Sequence, residues 1–243
     1  MKSVIITAAV LLQCVVSSGQ NKTGSRINQF ADLAGTVGSS RGTVALSYVH
    51  NWKLDKKQKW EAGLGARFTS GFGTKQEYTT APAKLARGTT VPFVIVLAEQ
   101  KTANWDTLTV QRPLVNSVNI SANFGYNFSN NWSAGFNIDL IGFTFGRKTP
   151  AILTSNGVTK TEAVAKPAAF NVLLTGDLDY GSLNSEFFFK YKLNNRWGIR
   201  AIYQFYFSEY KTTTIKQIAP DGTGVDRFRQ KGNNFGAGIS YNF

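Results

Sequence analysis

Between Asn116 and Phe128 every second side chain is apolar. Val118, Ile120, Ala122, Phe124, Tyr126 and Phe128 fall in one set; Ser117, Asn119, Ser121, Asn123, Gly125 and Asn127 fall in the other. Side chains of an extended strand alternate between its two faces, so this pattern gives a strand with one apolar and one polar face. A helix would mix the two sets. The pattern recurs along the chain. Trp60, Ala62, Leu64, Ala66 and Phe68 oppose Glu61, Gly63, Gly65, Arg67 and Thr69. Trp132, Ala134, Phe136, Ile138 and Leu140 oppose Ser133, Gly135, Asn137 and Asp139. Phe187, Phe189, Tyr191 and Leu193 make a further face, as do Trp197, Ile199, Ala201, Tyr203, Phe205 and Phe207, and then Phe235, Ala237, Ile239, Tyr241 and Phe243. Val44, Leu46, Tyr48 and Trp52 form a seventh, with His50 as its odd member. An eighth strand is expected over Arg26–Gly38, where Ala31, Leu33 and Val37 alternate with Asp32, Ala34 and Thr36.

The connections differ in length in a regular way. Lys53–Gln58, Ser129–Asn131 and Asn194–Asn195 are short and polar, whereas roughly 72–112, 147–182 and 211–229 are long. Short turns at one end and long loops at the other mark transmembrane β-barrels. An even strand number keeps both termini at the short-turn end, which favours eight strands. Ten is the alternative, because Val91–Ala98 and Ala168–Leu174 are apolar enough to add a pair. Asn156-Gly157 and Asp221-Gly222 are hairpin dipeptides, so the loops themselves turn as hairpins beyond the membrane. The expected fold is all-β: a closed antiparallel up-and-down transmembrane barrel. A spanning helix needs about 20 consecutive apolar residues, and none follows the N-terminal segment. In lipid only helices and closed barrels satisfy every backbone hydrogen bond.

Residues 1–19 read as a cleaved signal peptide and 20–243 as the barrel domain. Met1-Lys2-Ser3 is a positive start, Val4–Val16 is mostly apolar, and Ser17-Ser18-Gly19 supplies small residues before Gln20. The single cysteine, Cys14, lies in that leader, so the domain has no internal disulfide and no cysteine metal site. A lipoprotein reading would use Cys14, but Gln13 before it is large for that signal. Net charge is +13, a balance that draws acidic partners. No nucleic-acid motif accompanies it, and nucleic acid is not an expected partner.

Alternation does not say which face meets lipid, since a secreted ligand-binding barrel would turn its apolar face inward. Tryptophan placement argues for the membrane. Trp52, Trp60, Trp132 and Trp197 all border the short turns, as an aromatic girdle at a membrane interface does. The last strand adds a second argument. Ile239-Ser240-Tyr241-Asn242-Phe243 alternates apolar and polar residues and ends on an aromatic. In this the chain resembles the small outer-membrane β-barrels typified by OmpX and the membrane domain of OmpA. The resemblance is architectural and covers roughly 26–243. It implies the outer membrane of a Gram-negative bacterium, with Ile239, Tyr241 and Phe243 read by the barrel-assembly machinery.

The polar face carries charges that would point into the lumen: Asp32, Arg67, Asp139 and Glu186 near mid-height, and Glu61, Lys190 and Arg200 lower. An eight-stranded barrel is just wide enough for side chains to fill. These seven are expected to form a paired polar plug, Arg67 bridging Asp139 or Glu186, since buried charges need partners. A narrow water or ion path gated by the same pairs is the alternative. Arg147, Lys148, Lys211, Arg229 and Lys231 stand where strands leave the outer leaflet and could hold lipopolysaccharide phosphates. The only histidine, His50, falls at the short-turn rim on the lipid-facing side, away from where a lipid A-modifying enzyme works. No metal-ligand cluster or phosphate loop is present, and no cofactor is expected. The chain is therefore expected to be non-enzymatic and to serve envelope integrity, adhesion or surface binding through its loops.

Overall fold

The computed structural model describes residues 26–243; the expected leader, 1–19, lies outside them. Each alternating segment is a strand. The long ones are β1 (Ile27–Gly38), β2 (Arg41–Lys53), β3 (Trp60–Gly73), β6 (Leu114–Asn127), β7 (Trp132–Gly146), β11 (Leu183–Lys192), β12 (Trp197–Lys211) and β15 (Arg227–Asn242). Between them lie β4 (Lys75–Thr80), β5 (Thr107–Gln111), β8 (Thr149–Ser155), β9 (Val158–Pro167), β10 (Phe170–Val172), β13 (Gln217–Ile218) and β14 (Gly224–Val225). Two helical turns, Ala83–Arg87 and Val94–Leu97, interrupt the β4–β5 connection. Among the described residues no helix is long and apolar enough to cross a membrane.

All pairings are antiparallel, and those of the long strands return on themselves. β1 pairs with β2, β2 with β3, β3 with β6, β6 with β7, β7 with β11, β11 with β12, β12 with β15, and β15 again with β1. This ring of hydrogen bonds is called the wall below. The expected count of eight strands is too low: thirteen strands share one sheet, and β13 and β14 pair apart. The surplus comes from the long connections. They continue above the wall as strands of five to ten residues, where alternation is too brief or too irregular to stand out.

Those extra strands form a second ring, the head. β12 pairs with β9 through Tyr210 and Lys211, β9 with β8, β8 with β5, β5 with β4, and β4 with β15 at Thr80–Phe228. The upper ends of β12 and β15 complete it, so these two strands belong to both rings. The β8–β9 hairpin turns at Asn156 (φ 48°) and Gly157 (φ 77°), the positive-φ pair that a tight hairpin needs.

Side-chain polarity reverses between the rings. In the wall Val44, Leu46, Leu64, Val118, Ile120, Phe187, Ile199 and Phe235 face outward and exposed, while Asp32, Arg67, Asn119, Asp139 and Gln204 are buried inside. In the head Tyr78, Leu108, Val110, Leu153, Ala165, Tyr210 and Phe228 fill the interior and Val115 closes it from below. Fully burying each large apolar side chain contributes about 1.5–3 kcal/mol. Lys75, Glu77, Gln111, Lys160 and Lys166 lie on the head's outside, with Ile152, Val158 and Val164 exposed among them.

Two local readings of the sequence are corrected. Val91–Ala98 is neither a rim strand nor a membrane strand: it makes the helical turn Val94–Leu97. Pro92 has no N–H for a ladder, and Phe93 sits at φ 66°. Leu140 does not continue the outward face of β7. A bulge opposite Ile120 and Ser121 inserts one residue, so that Ile141, Phe143 and Phe145 point outward after it. The other ambiguous stretch contains β10, which pairs with β7 at Ile141–Phe143.

Candidate functional site

The lumen gathers the charges that alternation places on the polar faces. β3 brings Arg67, β7 Asp139 and β11 Glu186 to one level. Arg67 Nε lies 3.3 Å from Asp139 Oδ1, and Arg67 Nη1 lies 3.5 Å from Glu186 Oε1. A third guanidinium nitrogen donates to Asn137. Arg200 on β12 pairs with Asp32 and, at 3.3 Å, with Glu186. Its guanidinium also lies 4.1 Å over the Phe188 ring. Asp139 accepts further bonds from Asn119 Nδ2 (2.7 Å) and the Asn184 N–H (3.0 Å). Five charges thus share one buried network, Arg67 being 2% exposed.

Glu61 and Lys190 stand apart, nearer the short turns. Glu61 accepts from Asn28 Nδ2 at 2.7 Å and Asn127 Nδ2 at 2.8 Å. Lys190 donates to Ser240 Oγ at 2.6 Å and Asn242 Oδ1 at 3.3 Å, above the Phe30 ring. Arg41, at the start of β2, is a further lumen cation beside the seven charges expected from the sequence. It points inward near the head, donating to Gln230 Oε1 (2.9 Å) and Asn234 Oδ1 (3.2 Å). Arg41, Arg67, Lys190 and Arg200 face Asp32, Glu61, Asp139 and Glu186 in the lumen, with Lys192 lining the cavity beside Glu61 and Lys190. Arg41 shares its phase along β2 with buried Thr43 and Ala45, and that phase was the available signal.

The interior is filled. A cavity near Arg41, Tyr78 and Tyr206 holds about 10 Å³, and one between Glu61 and Lys190 about 20 Å³. Each is the size of a single water. Above Arg41 the apolar core of the head covers the lumen.

Outside, the four tryptophans of the short-turn end are exposed and each packs at an angle against a neighbouring ring. Ring centroids are 4.6 Å apart for Trp60 and Tyr126, 4.5 Å for Trp132 and Tyr191, 5.0 Å for Trp197 and Tyr241, and 4.8 Å for Trp52 and His50. The His50 ring also meets Gln29 Nε2, 2.9 Å from Nδ1. It faces outward at this level. Ile239, Tyr241 and Phe243 continue the outward row of β15, and the Phe243 N–H donates to the Gln29 carbonyl.

The five cations expected at the outer rim divide. Arg147 and Lys148 are exposed. Lys211 pairs with Asp226 at 3.0 Å. Arg229 is buried, held by Glu209 at 2.7 Å and Asp177 at 3.4 Å, and Lys231 also reaches Asp177. Arg229 is thereby a structural cation of the head–wall junction rather than a free rim charge. Arg227 and Arg87 join the same cluster, at 2.9 Å from Glu209 and 2.5 Å from Asp177.

Within the head, Glu162 is an unforeseen anchor. Burial alone would raise its pKa. The N–H groups of Ile215, Val164 and Thr214 and the Thr213 hydroxyl outweigh that and hold the carboxyl at about 2. It ties residues 213–215 of the β12–β15 connection to β9.

No family model matches the chain, and no curated protein does. Solved structures do. Neisserial surface protein A (NspA) is 9% identical with a TM-score of 0.35, over 91% of this chain and 100% of that one. Ail, the attachment invasion locus protein of Yersinia pestis, solved with the heparin analogue sucrose octasulfate, is 10% identical with a TM-score of 0.34, over 89% and 98%. A Pseudomonas aeruginosa FadL homologue is 13% identical with a TM-score of 0.22, over 83% and 68%. NspA and Ail are small outer-membrane β-barrel proteins of the kind the sequence resembles. At such scores the likeness carries no further argument, and the architecture rests on the strand registers above.

Proposed function

We propose that the chain is an integral β-barrel protein of a Gram-negative outer membrane, non-conducting and non-enzymatic, acting as a surface-binding protein through its head. The reversal of polarity between wall and head carries this reading. An apolar outside around a polar inside suits a wall standing in lipid. A mostly polar outside around an apolar inside suits a head standing in water. From Trp60 to Phe72 the outward row of β3 runs about 40 Å at roughly 3.3 Å per residue. With a strand tilt of about 40° this is roughly 30 Å of height, the thickness of a bilayer core.

The wall's ring of long strands is then a closed barrel in the membrane, and the tryptophan row marks its periplasmic edge. Ile239, Tyr241 and Phe243 serve as the signal for the barrel-assembly machinery. Arg147 and Lys148 lie at the outer rim against lipopolysaccharide phosphates. The paired lumen network locks the wall, and the head's core seals it.

Cell fractionation with a heat-modifiability gel, followed by planar-bilayer recording, tests the reading. The expected result is outer-membrane recovery, a heat-shifted band and no steady conductance. Recovery in the soluble periplasmic fraction would overturn the membrane assignment. Large single-channel currents would overturn the sealed lumen and favour a channel.

A further inference from the structure

A groove of about 610 Å³ opens on the outward side of the molecule, between the end of β9, β10 and residues 174–180. Its volume lies in the range of ordinary ligand pockets, about 300–1,000 Å³. Phe170, Val172, Leu174 and Leu178 line it. Leu174 is 58% and Phe170 43% exposed, a poor arrangement for apolar side chains in water. Phe170 meets Phe143 edge-on with ring centroids 6.1 Å apart. The groove is therefore continuous with the outward apolar belt of the wall.

Charges border this groove in an unusual arrangement. Lys166 on β9, Lys211 on β12 and Arg227 on β15 are direct cross-strand partners, one beside the next. Lys166 and Lys211 both line the groove. Like charges placed opposite each other on one face destabilise a sheet. Asp226 answers Lys211 and Glu209 answers Arg227. Among the described residues no carboxylate pairs with Lys166. The rank keeps an excess positive charge beside an apolar trough.

We propose that this groove binds an acyl chain of a phosphate-bearing membrane lipid, its phosphate set against Lys166 and Lys211. The inference rests on the membrane reading above, since only then does the groove open into the outer leaflet. A lipid chain covers Phe170 and Leu174, and the phosphate relieves the repulsion between the two ammonium groups.

Native mass spectrometry of the detergent-folded protein tests this with three probes: phosphatidylglycerol, uncharged diacylglycerol and inorganic phosphate. The wild type is expected to retain one phosphatidylglycerol at least tenfold more tightly than diacylglycerol, and phosphate alone hardly at all. A Lys166→Gln, Lys211→Gln double variant should erase the preference. Ala169→Trp, at an exposed position lining the groove, should lower retention of both lipids about tenfold. Equal retention of both lipids by the wild type, an unchanged double variant, or phosphate binding as tight as the lipid would each overturn the proposal. Membrane fractionation of the same variants separates the two failures. Protein that fractionates with the membrane but shows no lipid preference loses only the groove; protein that never enters the membrane loses the barrel reading as well.

Discussion

Gln204 and Tyr210 point inward from the same strand, β12, and meet opposite surroundings. Gln204 Oε1 accepts from Thr36 and Asn234, each at 2.7 Å, and its Nε2 donates to Thr43 at 3.0 Å. Tyr210 sits among Tyr78, Leu108 and Phe228 in the apolar core. The strand, its hydrogen bonding and its alternation do not change between them; the ring around it does. The lesson is that strand geometry sets which side chains share a face, while the outer medium decides which face is polar. The wall's interior must be satisfied by hydrogen bonds and ion pairs, because its apolar residues are turned outward. The head's interior can be stabilised by burial, because its polar residues are turned outward.

Arg67→Met probes the wall side of this contrast with the largest expected effect. It strips a cation from Asp139 and Glu186 together, and removing one partner of a buried ion pair costs about 3–5 kcal/mol. Urea unfolding followed by the heat-shifted band should show that loss, with bilayer recordings still silent. An unchanged midpoint would mean the network is not what holds the wall.

Leu108→Ala probes the head. The side chain is fully buried, and such truncations cost about 2–5 kcal/mol. Limited proteolysis should cut the head connections while the wall keeps its heat shift. Joint loss of both would make the two rings one cooperative unit and erase the distinction.

Glu162 sharpens the comparison through pH. Its folded pKa, about 2, lies below the ordinary carboxylate value of about 4.3. The unfolded chain therefore takes up protons first as pH falls. The anchor's full contribution is present above pH ~5 and is lost as pH drops through about 2. Acid should loosen residues 213–215, read as proteolysis or hydrogen exchange there, and Glu162→Gln should flatten that dependence. Exchange rates in the variant that still follow pH through this window would assign the effect elsewhere.

Lys84→Ala should do least. Its 2.8 Å pair with Asp221 is exposed on both sides, and exposed pairs contribute little. No shift in melting is expected, and a shift of several degrees would show that the helical turn at Ala83–Arg87 is tied down more firmly than its contacts indicate.

The sequence made the wall readable and the head obscure. Strands such as β6 and β12 carry long alternation, so their faces and their lumen charges could be assigned residue by residue. Their pairing partners follow from neighbouring registers, which is how Arg67 meets Asp139 and Glu186. The head offers strands of five to ten residues whose buried apolar members point the other way, and in β8 Ile152 stays outside between Ala151 and Leu153. Chain-distant pairing decides the rest. Lys166 and Lys211 become neighbours only through the β9–β12 contact, and Arg229 becomes buried only because Asp177 arrives from the β10–β11 connection. One inserted residue at the β7 bulge shifts a whole outward row, and alternation counted along the sequence has no way to register it.

Membership of β12 and β15 in both rings has a consequence for how the surface of such a protein can vary. The head is assembled from three separate insertions, between β3 and β6, between β7 and β11, and between β12 and β15. Each supplies part of one shared interior: Tyr78 and Leu108 come from the first, Leu153 and Ala165 from the second, and Ile215, packed against them, from the third. A new sequence in any one insertion must still fit the other two. The exterior positions can drift freely, while the inward ones can change only in concert, so a grafted surface should be moved as all three insertions at once.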